Sequence, residues 1–504
     1  MLKHVSALLF GAASIASCSY LSRSASETEP ANGSGSKLDR PAAPLEAQST
    51  NVTELWIRNC SNCHGREGEG GGAGTKTLIT QDLYDQKHDR PFFDTIKNGK
   101  PDMGMEAFGK TLKDQEIWAL VVHIREMQSR GLRAKFGSPK AVDGVYTSKL
   151  HKFRMETVVE GGLSTPWSLN WLPDGRMLVT NLSGALNVVE GGKLSPAVQG
   201  TPAVAQIGQG GLMDVAVHPD YAKNGWIYFS FADPAKNGNG GFTKIVRGKL
   251  QFSGGRPAWT NQETIFEVAQ ENYNGSGVHF GSRIVFDGKG HIFFSIGERG
   301  NGNLAQDLTK PNGKIYRVNE DGTIPGDNPF ASAADKAKGR IGAIWSYGHR
   351  NPQGLVMGLD GTLWDTEHAP RGGDEVNRIQ KGANYGWPII SFGINYNDSP
   401  YSTPWPGQGQ DFQLPIFRWL PSTGACGLDV MRGKAFPSWN GDLIAGGLSG
   451  ANVDRIRTQN GKFVEREELL QGIGRVRDVA VGPDGYLYIA INQPDKVVRL
   501  VPAN

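Results

Sequence analysis

Apolar and polar residues alternate along this chain in two rhythms, and the change comes near residue 155. Before it, Val52, Leu55 and Trp56 fall at i, i+3 and i+4, the spacing of one face of an α-helix. A second helix is predicted from Leu112 to Met127, with Trp118, Leu120, Val121 and Ile124 as its packing face. Beyond the change the period shortens to that of a half-buried strand. A strand, a turn rich in Pro, Asp and Gly, and a second strand then recur. The clearest copy starts at Trp167 and passes through Pro173-Asp174-Gly175 to Val179. Others begin near Met213, Arg283, Gln353, Gly427 and Arg477. Six copies in roughly 350 residues give about 58 residues per unit, somewhat above the usual propeller blade. This predicts an all-β six-bladed β-propeller of four-stranded antiparallel sheets, preceded by a small all-α domain. A large β-sandwich is the rival, but it would not repeat one strand–turn–strand motif so regularly.

The N-terminus reads as an address. Lys3 and His4 precede an apolar run, Val5 to Ala16, too short to span a bilayer and shaped like a secretory signal. Ile15-Ala16-Ser17-Cys18 resembles the lipobox of bacterial lipoproteins, which implies cleavage before a lipid-bearing Cys18. An ordinary signal peptide cut near Ala16, with Cys18 incidental, is the alternative. Ser19 weakly favours the outer membrane. Ser, Glu, Pro, Ala and Gly dominate from there to about Ser49 and read as a tether. The expected layout is 1–17 signal, 18–49 tether, 50–132 small helical domain, 133–154 linker and 155–504 propeller. The expected location is the bacterial periplasm, on a membrane through the lipid.

Composition narrows the function. Glycine supplies 68 of 504 residues, about twice the average share, and it lies between short apolar runs, where turns need it. With 53 basic and 50 acidic residues the net charge is +3, so nothing electrostatic points to nucleic acid. Four cysteines cannot build a disulfide framework in so long a chain.

Two of them sit in Cys60-Ser61-Asn62-Cys63-His64, the C-x-x-C-H attachment motif of a c-type haem. Thiols one helical turn apart can add to the two vinyl groups and leave the adjacent imidazole beneath the iron. A redox pair or half a zinc site would share the C-x-x-C spacing, but no second zinc pair is present. Downstream, Met103-Gly104-Met105-Glu106-Ala107-Phe108 precedes the second helix. This order resembles the class I cytochrome c domain, whose Met-Pro-Ala-Phe supplies the axial sulfur. Met105 matches that methionine, with Glu106 in place of the proline, and Met103 is the alternative. Thioether ligation raises the potential, which suits an electron acceptor. Gly68-Glu69-Gly70-Gly71-Gly72-Ala73 fits a dinucleotide fingerprint only formally, since no strand precedes it.

The propeller copies carry specific strings. They include Gly208-Gln209-Gly210-Gly211-Leu212-Met213-Asp214, His279-Phe280-Gly281-Ser282-Arg283, Tyr347-Gly348-His349-Arg350-Asn351-Pro352-Gln353-Gly354-Leu355, Glu367-His368-Ala369-Pro370-Arg371-Gly372-Gly373-Asp374-Glu375, Asn384-Tyr385-Gly386-Trp387-Pro388 and Arg475-Val476-Arg477-Asp478-Val479. In this order, across residues 155–504, they resemble the glucose/sorbosone dehydrogenase family, whose soluble members oxidise aldoses with pyrroloquinoline quinone (PQQ). The attached cytochrome implies a quinohaemoprotein that oxidises the C1 hydroxyl of an aldose to a lactone. Electrons would leave singly through haem c to an external cytochrome or respiratory component.

The resemblance assigns roles residue by residue. His279 matches the general base, and an imidazole titrating near ~6.5 suits that task. Arg350 and Asn351 match the pair beside the quinone, where a guanidinium stabilises developing negative charge. Gln209 and Glu298 match cofactor-region positions, and Arg475 and Arg477, two apart on one strand face, match the carboxylate-binding arginines. Main-chain oxygens of Ala369 and Pro370 match the ligands of a calcium at the quinone, and Glu375 and Tyr385 those of a second calcium. Three departures bear on substrate preference: Glu298 for a usual Asp, Ser449 for a usual Lys, and Ala369 for a usual Gly. Rival readings are a dehydrogenase of a sugar-derived aldehyde or other alcohol, a calcium-dependent propeller lactonase, or a non-catalytic binding module. The last cysteine, Cys426, reads as buried strand packing near the pocket.

Overall fold

Six antiparallel sheets follow one another along the chain. Their first strands are Pro166–Trp171, Leu212–Val217, Ile284–Phe286, Pro352–Met357, Ala425–Val430 and Arg475–Val481. Each lies at or within a few residues of a position where the sequence repeat begins. The computed structural model describes residues 51–252, 256–401 and 411–503. The signal with Cys18 and the tether fall outside the described residues. Five sheets have four strands and the last has five, so the fold is the six-bladed propeller. Gly175 (φ +89°) and Gly485 (φ +79°) occupy the left-handed corner of the Pro-Asp-Gly turns, which a side chain would strain. The ring closes by a late pairing. Lys152–Glu160 lies antiparallel to Lys496–Ala503, from Lys152↔Ala503 to Glu160↔Lys496, so the first and last strands share a blade.

One buried cation ties the blades together. Arg283 Nη1 lies 3.0 Å from Asp214 and 3.1 Å from Asp478, and its Nε donates to the Gln353 carbonyl at 3.3 Å. Asp214 accepts from Ser168 Oγ (2.6 Å) and the Ile284 amide (2.7 Å), and Asp478 from the Leu169 amide (2.8 Å). These groups belong to blades one, two, three, four and six. Burial pushes Asp478 up to about 7 despite the pull of Arg283. The guanidinium also lies 4.6 Å from the centre of the Trp167 ring.

Ahead of the propeller stand four helices: α1 Val52–Asn59, α2 Ser61–His64, α3 Asp89–Asn98 and α4 Asp114–Phe136. The Asn51 side chain accepts from the Thr53 and Glu54 amides and starts α1. Its buried residues are the predicted Val52, Leu55 and Trp56. Helix α4 runs well past the expected Met127. Nothing before Gly137 (φ +76°) forces it to stop, and Gly131 lets the extra turns press on Ile79, where a Cβ would sit 2.5 Å from Cγ2.

The helical domain does not close its own core. Phe392, Ile394 and Leu420 of the propeller belong to the same apolar cluster as Trp56, Phe93, Trp118 and Ile124. Trp118 Nε1 donates to the Phe392 carbonyl at 2.9 Å. Asp89 and Arg125 are 1% and 2% exposed, paired at 2.5 Å, and Arg418 of the propeller reaches the other Asp89 oxygen. Asp89→Ala would leave two guanidinium groups without their shared carboxylate. We expect a loss of about 3–5 kcal/mol in denaturant unfolding of the haem-loaded protein. A loss below about 1 kcal/mol, the scale of an exposed pair, would contradict a buried joint.

Candidate active site and haem site

His279 sits at a backbone position that few side chains adopt, φ +56°. Gln209 Oε1 accepts its amide at 2.9 Å. Next to the histidine, Arg299 stacks on Phe280, 3.4 Å from the ring centre. Its Nη2 donates to the Gly241 carbonyl at 3.2 Å, and the same guanidinium reaches the Val278 and Ser276 carbonyls. The approach to His279 is therefore flanked by a cation whose hydrogen-bond partners, among the described residues, are all carbonyls. Burial pulls that guanidinium down to about 9.

The imidazole Nδ1 contacts Glu298 Oε1 directly. Burial lowers the His279 pKa, Glu298 opposes the fall, and nearby Arg350 adds to it. Nδ1 is thus oriented by a carboxylate while the ring stays neutral, the state a general base needs. Glu298 is 2% exposed and accordingly acts on His279.

Beside this pair lies a cavity of about 360 Å³ lined by Gln209, Ala369, Pro370, Arg475 and Arg477, together with Trp167, His368, Arg371, Tyr396 and Ser449. Five residues named from sequence therefore share one wall system. Arg475 and Arg477 do face the same way, and among the described residues neither has a carboxylate partner. Arg477 Nε is buried without a hydrogen bond, and burial and Arg475 lower its pKa. Two uncompensated guanidinium groups in a cleft favour an anion, as a tricarboxylate quinone is. The donor set fits that group.

Arg350 bridges the two features. Its Nη1 donates to the His368 and Ala369 carbonyls at 3.1 and 3.0 Å, and its Nη2 to the Tyr396 hydroxyl at 3.3 Å. Asn351 is buried, and its Oδ1 accepts from the Gly281 amide (3.1 Å) and Gln353 Nε2 (3.2 Å). Its side chain thus braces the chain behind His279. Ala369 has no positive φ, so the departure from glycine costs no backbone strain. Ser449 borders the cavity. Cys426 is buried, and its Sγ lies 3.1 Å from the Arg477 carbonyl.

Glu375 and Tyr385 border a separate void of about 20 Å³, shared with Glu367, Arg350 and Ala369. Burial and Glu367 push Glu375 up to about 8, and Asp365, fully buried behind, has neither oxygen hydrogen-bonded. His349, Asp365 and Glu367 bring ligand atoms within 4.8 Å of one another. Buried carboxylates crowded around an ion-sized void fit a hard cation such as calcium. The Tyr385 hydroxyl donates to the Arg378 carbonyl at 2.6 Å, so its main chain, not its phenol, is left for a ligand role. Sequence reading passed over Glu367, Asp365, His349 and His368. Three of these stand inside quoted strings, but only folding shows their burial.

In the helical domain, Cys60 and Cys63 stand at the start and within α2, and His64 ends it. Burial and Cys63 push the Cys60 thiol up to about 12. His64 Nδ1 is buried without a partner. Met105 packs against the same apolar cluster as Cys60, whereas Met103 is 79% exposed. Thiols, imidazole and thioether around one apolar core fit a covalent haem, with Met105 as the sulfur.

Known proteins share both parts. A family model described as glucose/sorbosone dehydrogenase matches residues 163–499. The chain belongs to the glucose/sorbosone dehydrogenase family. A second model, cytochrome c oxidase cbb3-type subunit III, matches residues 47–124, and the N-terminal part is a cytochrome c domain. Aldose sugar dehydrogenase YliI of Escherichia coli is 39% identical over 355 residues, 69% of this chain and 92% of that protein. The crystal structure of the E. coli soluble aldose sugar dehydrogenase in its apo form aligns with TM-score 0.63 at 36% identity, over 70% of this chain and all of that one. The PQQ-bound form of the Streptomyces coelicolor aldose sugar dehydrogenase aligns with TM-score 0.57 at 26% identity, over 72% and 99%. The chain is thus an oxidoreductase of this family carrying its own cytochrome. Among the described residues no helix is long and apolar enough to cross a membrane.

Two measurements test these sites. By NMR, the His279 ring is expected to titrate below its ordinary 6.5, and Glu298→Gln to lower the midpoint further, since the carboxylate stabilises the charged ring. A rise in Glu298→Gln would contradict the pairing. Met105→Ala is expected to abolish the sulfur-to-iron absorption of oxidised haem and to lower its potential, while Met103→Ala leaves both in place.

Proposed function

We propose that this protein is a quinohaemoprotein that oxidises the C1 hydroxyl of aldoses to lactones and delivers the electrons through its own haem c. The observation that carries the reading is the neutral, carboxylate-oriented His279 beside a cavity walled by Gln209, Arg475 and Arg477. PQQ, seated there with calcium, supplies a two-electron acceptor for hydride. Arg475 and Arg477 would hold its carboxylates, and a calcium beside it would take the Ala369 carbonyl only by displacing Arg350 Nη1, which donates there at 3.0 Å. His279 takes the hydroxyl proton as hydride leaves C1, and Glu298 holds the ring in the tautomer that leaves Nε2 free to accept. Arg350 supplies positive charge where negative charge develops. Haem c, held by Cys60, Cys63, His64 and Met105, supplies a one-electron exit to an external cytochrome or respiratory component.

The domain layout supports the same reading: 50–132 carries the haem, 133–154 links, and 155–504 forms the dehydrogenase. Export to the periplasm and lipid attachment at Cys18 place the haem beside such an acceptor.

The haem-loaded protein, given PQQ and Ca²⁺ and then a panel of aldoses, should show haem reduction that depends on the sugar. His279→Ala should slow it by about 10²–10⁴-fold, the usual contribution of a positioned base. Failure of every aldose to reduce the haem, with PQQ demonstrably bound, would sink the reading.

A further inference from the structure

The segment that carries His279 lies outside the regular strands, so no sheet ladder takes up its carbonyls. Each of the three before the histidine nevertheless has a donor. The Gly277 carbonyl accepts the Gln209 amide at 2.7 Å, and the Ser276 and Val278 carbonyls on either side accept from the Arg299 guanidinium. Gln209 then returns through its side chain to the His279 amide. Beyond the histidine, Thr243 Oγ1 donates to the Phe280 carbonyl at 2.7 Å. His279 is thus the left-handed link of a chain fixed on both sides, and a backbone in that conformation persists only where its surroundings over-determine it.

The second half of the grip comes from one short segment, Gly297-Glu298-Arg299-Gly300. It runs so close to the first that a Cβ on Gly297 would stand 2.3 Å from the His279 carbonyl oxygen, and one on Gly300 3.0 Å from Ser276 Oγ. Two adjacent side chains then divide the work. Glu298 meets the imidazole Nδ1, and Arg299 takes the main chain behind it. Arg299 is 2% exposed and is not among the residues that line the cofactor cavity. Its guanidinium is anchored to a third carbonyl, that of Gly241, and lies flat on the Phe280 ring. Only a planar fork can span two carbonyls two residues apart and stack on a ring as well; an ammonium is a point charge.

We propose that Arg299 is a positioning residue for His279, clamping the Ser276 and Val278 carbonyls so that the imidazole stays in register with Glu298 and with the hydroxyl it deprotonates. This rests on the reading of His279 as the general base. Arg299 touches neither sugar nor quinone, so its whole effect passes through the placement of that ring.

The test compares Arg299→Met, Arg299→Lys, His279→Ala and the Arg299→Met/His279→Ala double variant, all full-length, haem-loaded and supplied with PQQ and Ca²⁺. A normal haem spectrum and a cooperative melting transition identify folded variants, and Arg299→Lys, the milder change, carries the comparison if Arg299→Met does not fold. Arg299→Met is expected to lower kcat for aldose-dependent haem reduction about a hundredfold, the scale of a misplaced catalytic group, with KM changed less than about twofold. Arg299→Lys keeps the charge without the fork and should recover no more than about tenfold of that loss. The double variant should be no slower than His279→Ala alone, because Arg299 acts only through His279. By NMR of the PQQ-free protein with reduced haem, the low-field Nδ1 proton shared with Glu298 should be present in the parent and lost to solvent exchange in Arg299→Met. An unchanged kcat, a rise in KM alone, full recovery in Arg299→Lys, multiplied losses in the double variant or a persisting Nδ1 proton would each overturn the clamp and leave the base reading intact. An undiminished rate in His279→Ala would overturn the base reading itself, and the clamp with it.

Discussion

A single guanidinium sets the geometry on which everything else is built. Arg283 lies among two carboxylates and a carbonyl from different blades, and those carboxylates are themselves bound to amides of the neighbouring strands. Main-chain hydrogen bonds join neighbouring blades at isolated points, such as Gln199 with Trp259 and Tyr347 with Tyr385, and elsewhere the blades meet through side chains. Charge-assisted bonds converging near the axis keep those faces from sliding, because any shift would leave a buried ion unpaired. The Trp167 ring lies against the same guanidinium and also borders the cofactor cavity. The cavity wall therefore inherits its rigidity from the axis.

Two opposite electrostatic choices sit side by side on that base. Among the described residues Arg475 and Arg477 have no carboxylate partner, whereas burial and Arg350 lower the pKa of His279. An anionic cofactor satisfies the first choice and leaves the second intact. Glu298 reconciles them, since it steadies the ring without belonging to the cavity. Around Glu375 the crowding is of carboxylates instead, and burial and Glu367 raise its pKa to about 8. One chain thus sets a pocket walled by guanidinium groups beside a void edged by Glu367 and Glu375, with Arg350 and Ala369 bordering the void and Ala369 bordering both.

What could be read from the sequence was whatever leaves a local trace. The first strands showed themselves through a period of two and turns rich in Pro, Asp and Gly, and α1 through its i, i+3, i+4 face. Cys60, Cys63 and His64 declared themselves by spacing, and His279 and Arg475 by the strings around them. The far end of α4 left no such trace, because its final turns are mostly polar outside Leu132 and pack through Gly131. Nor did Asp365 or Glu367: a carboxylate on an alternating strand looks like a solvated one until the neighbouring strand covers it. Asn351 shows the converse, a matched residue whose amide is spent on the backbone at Gly281. The joint between the two domains was invisible for the same reason. Glu126 and Arg371, which pair across it, are 245 positions apart, and neither position marks the other.

That separation along the chain also orders events in time. Trp118 is made 274 residues before the Phe392 carbonyl that receives its proton. At ~5–20 residues per second, tens of seconds pass between them. Throughout that interval Cys60, Cys63 and His64 exist, and the propeller surface that will cover α1 and α4 does not. The blade that closes the ring waits longer still, for Lys496–Ala503 to find Lys152–Glu160. The helical segment is therefore made complete before the surface it docks against.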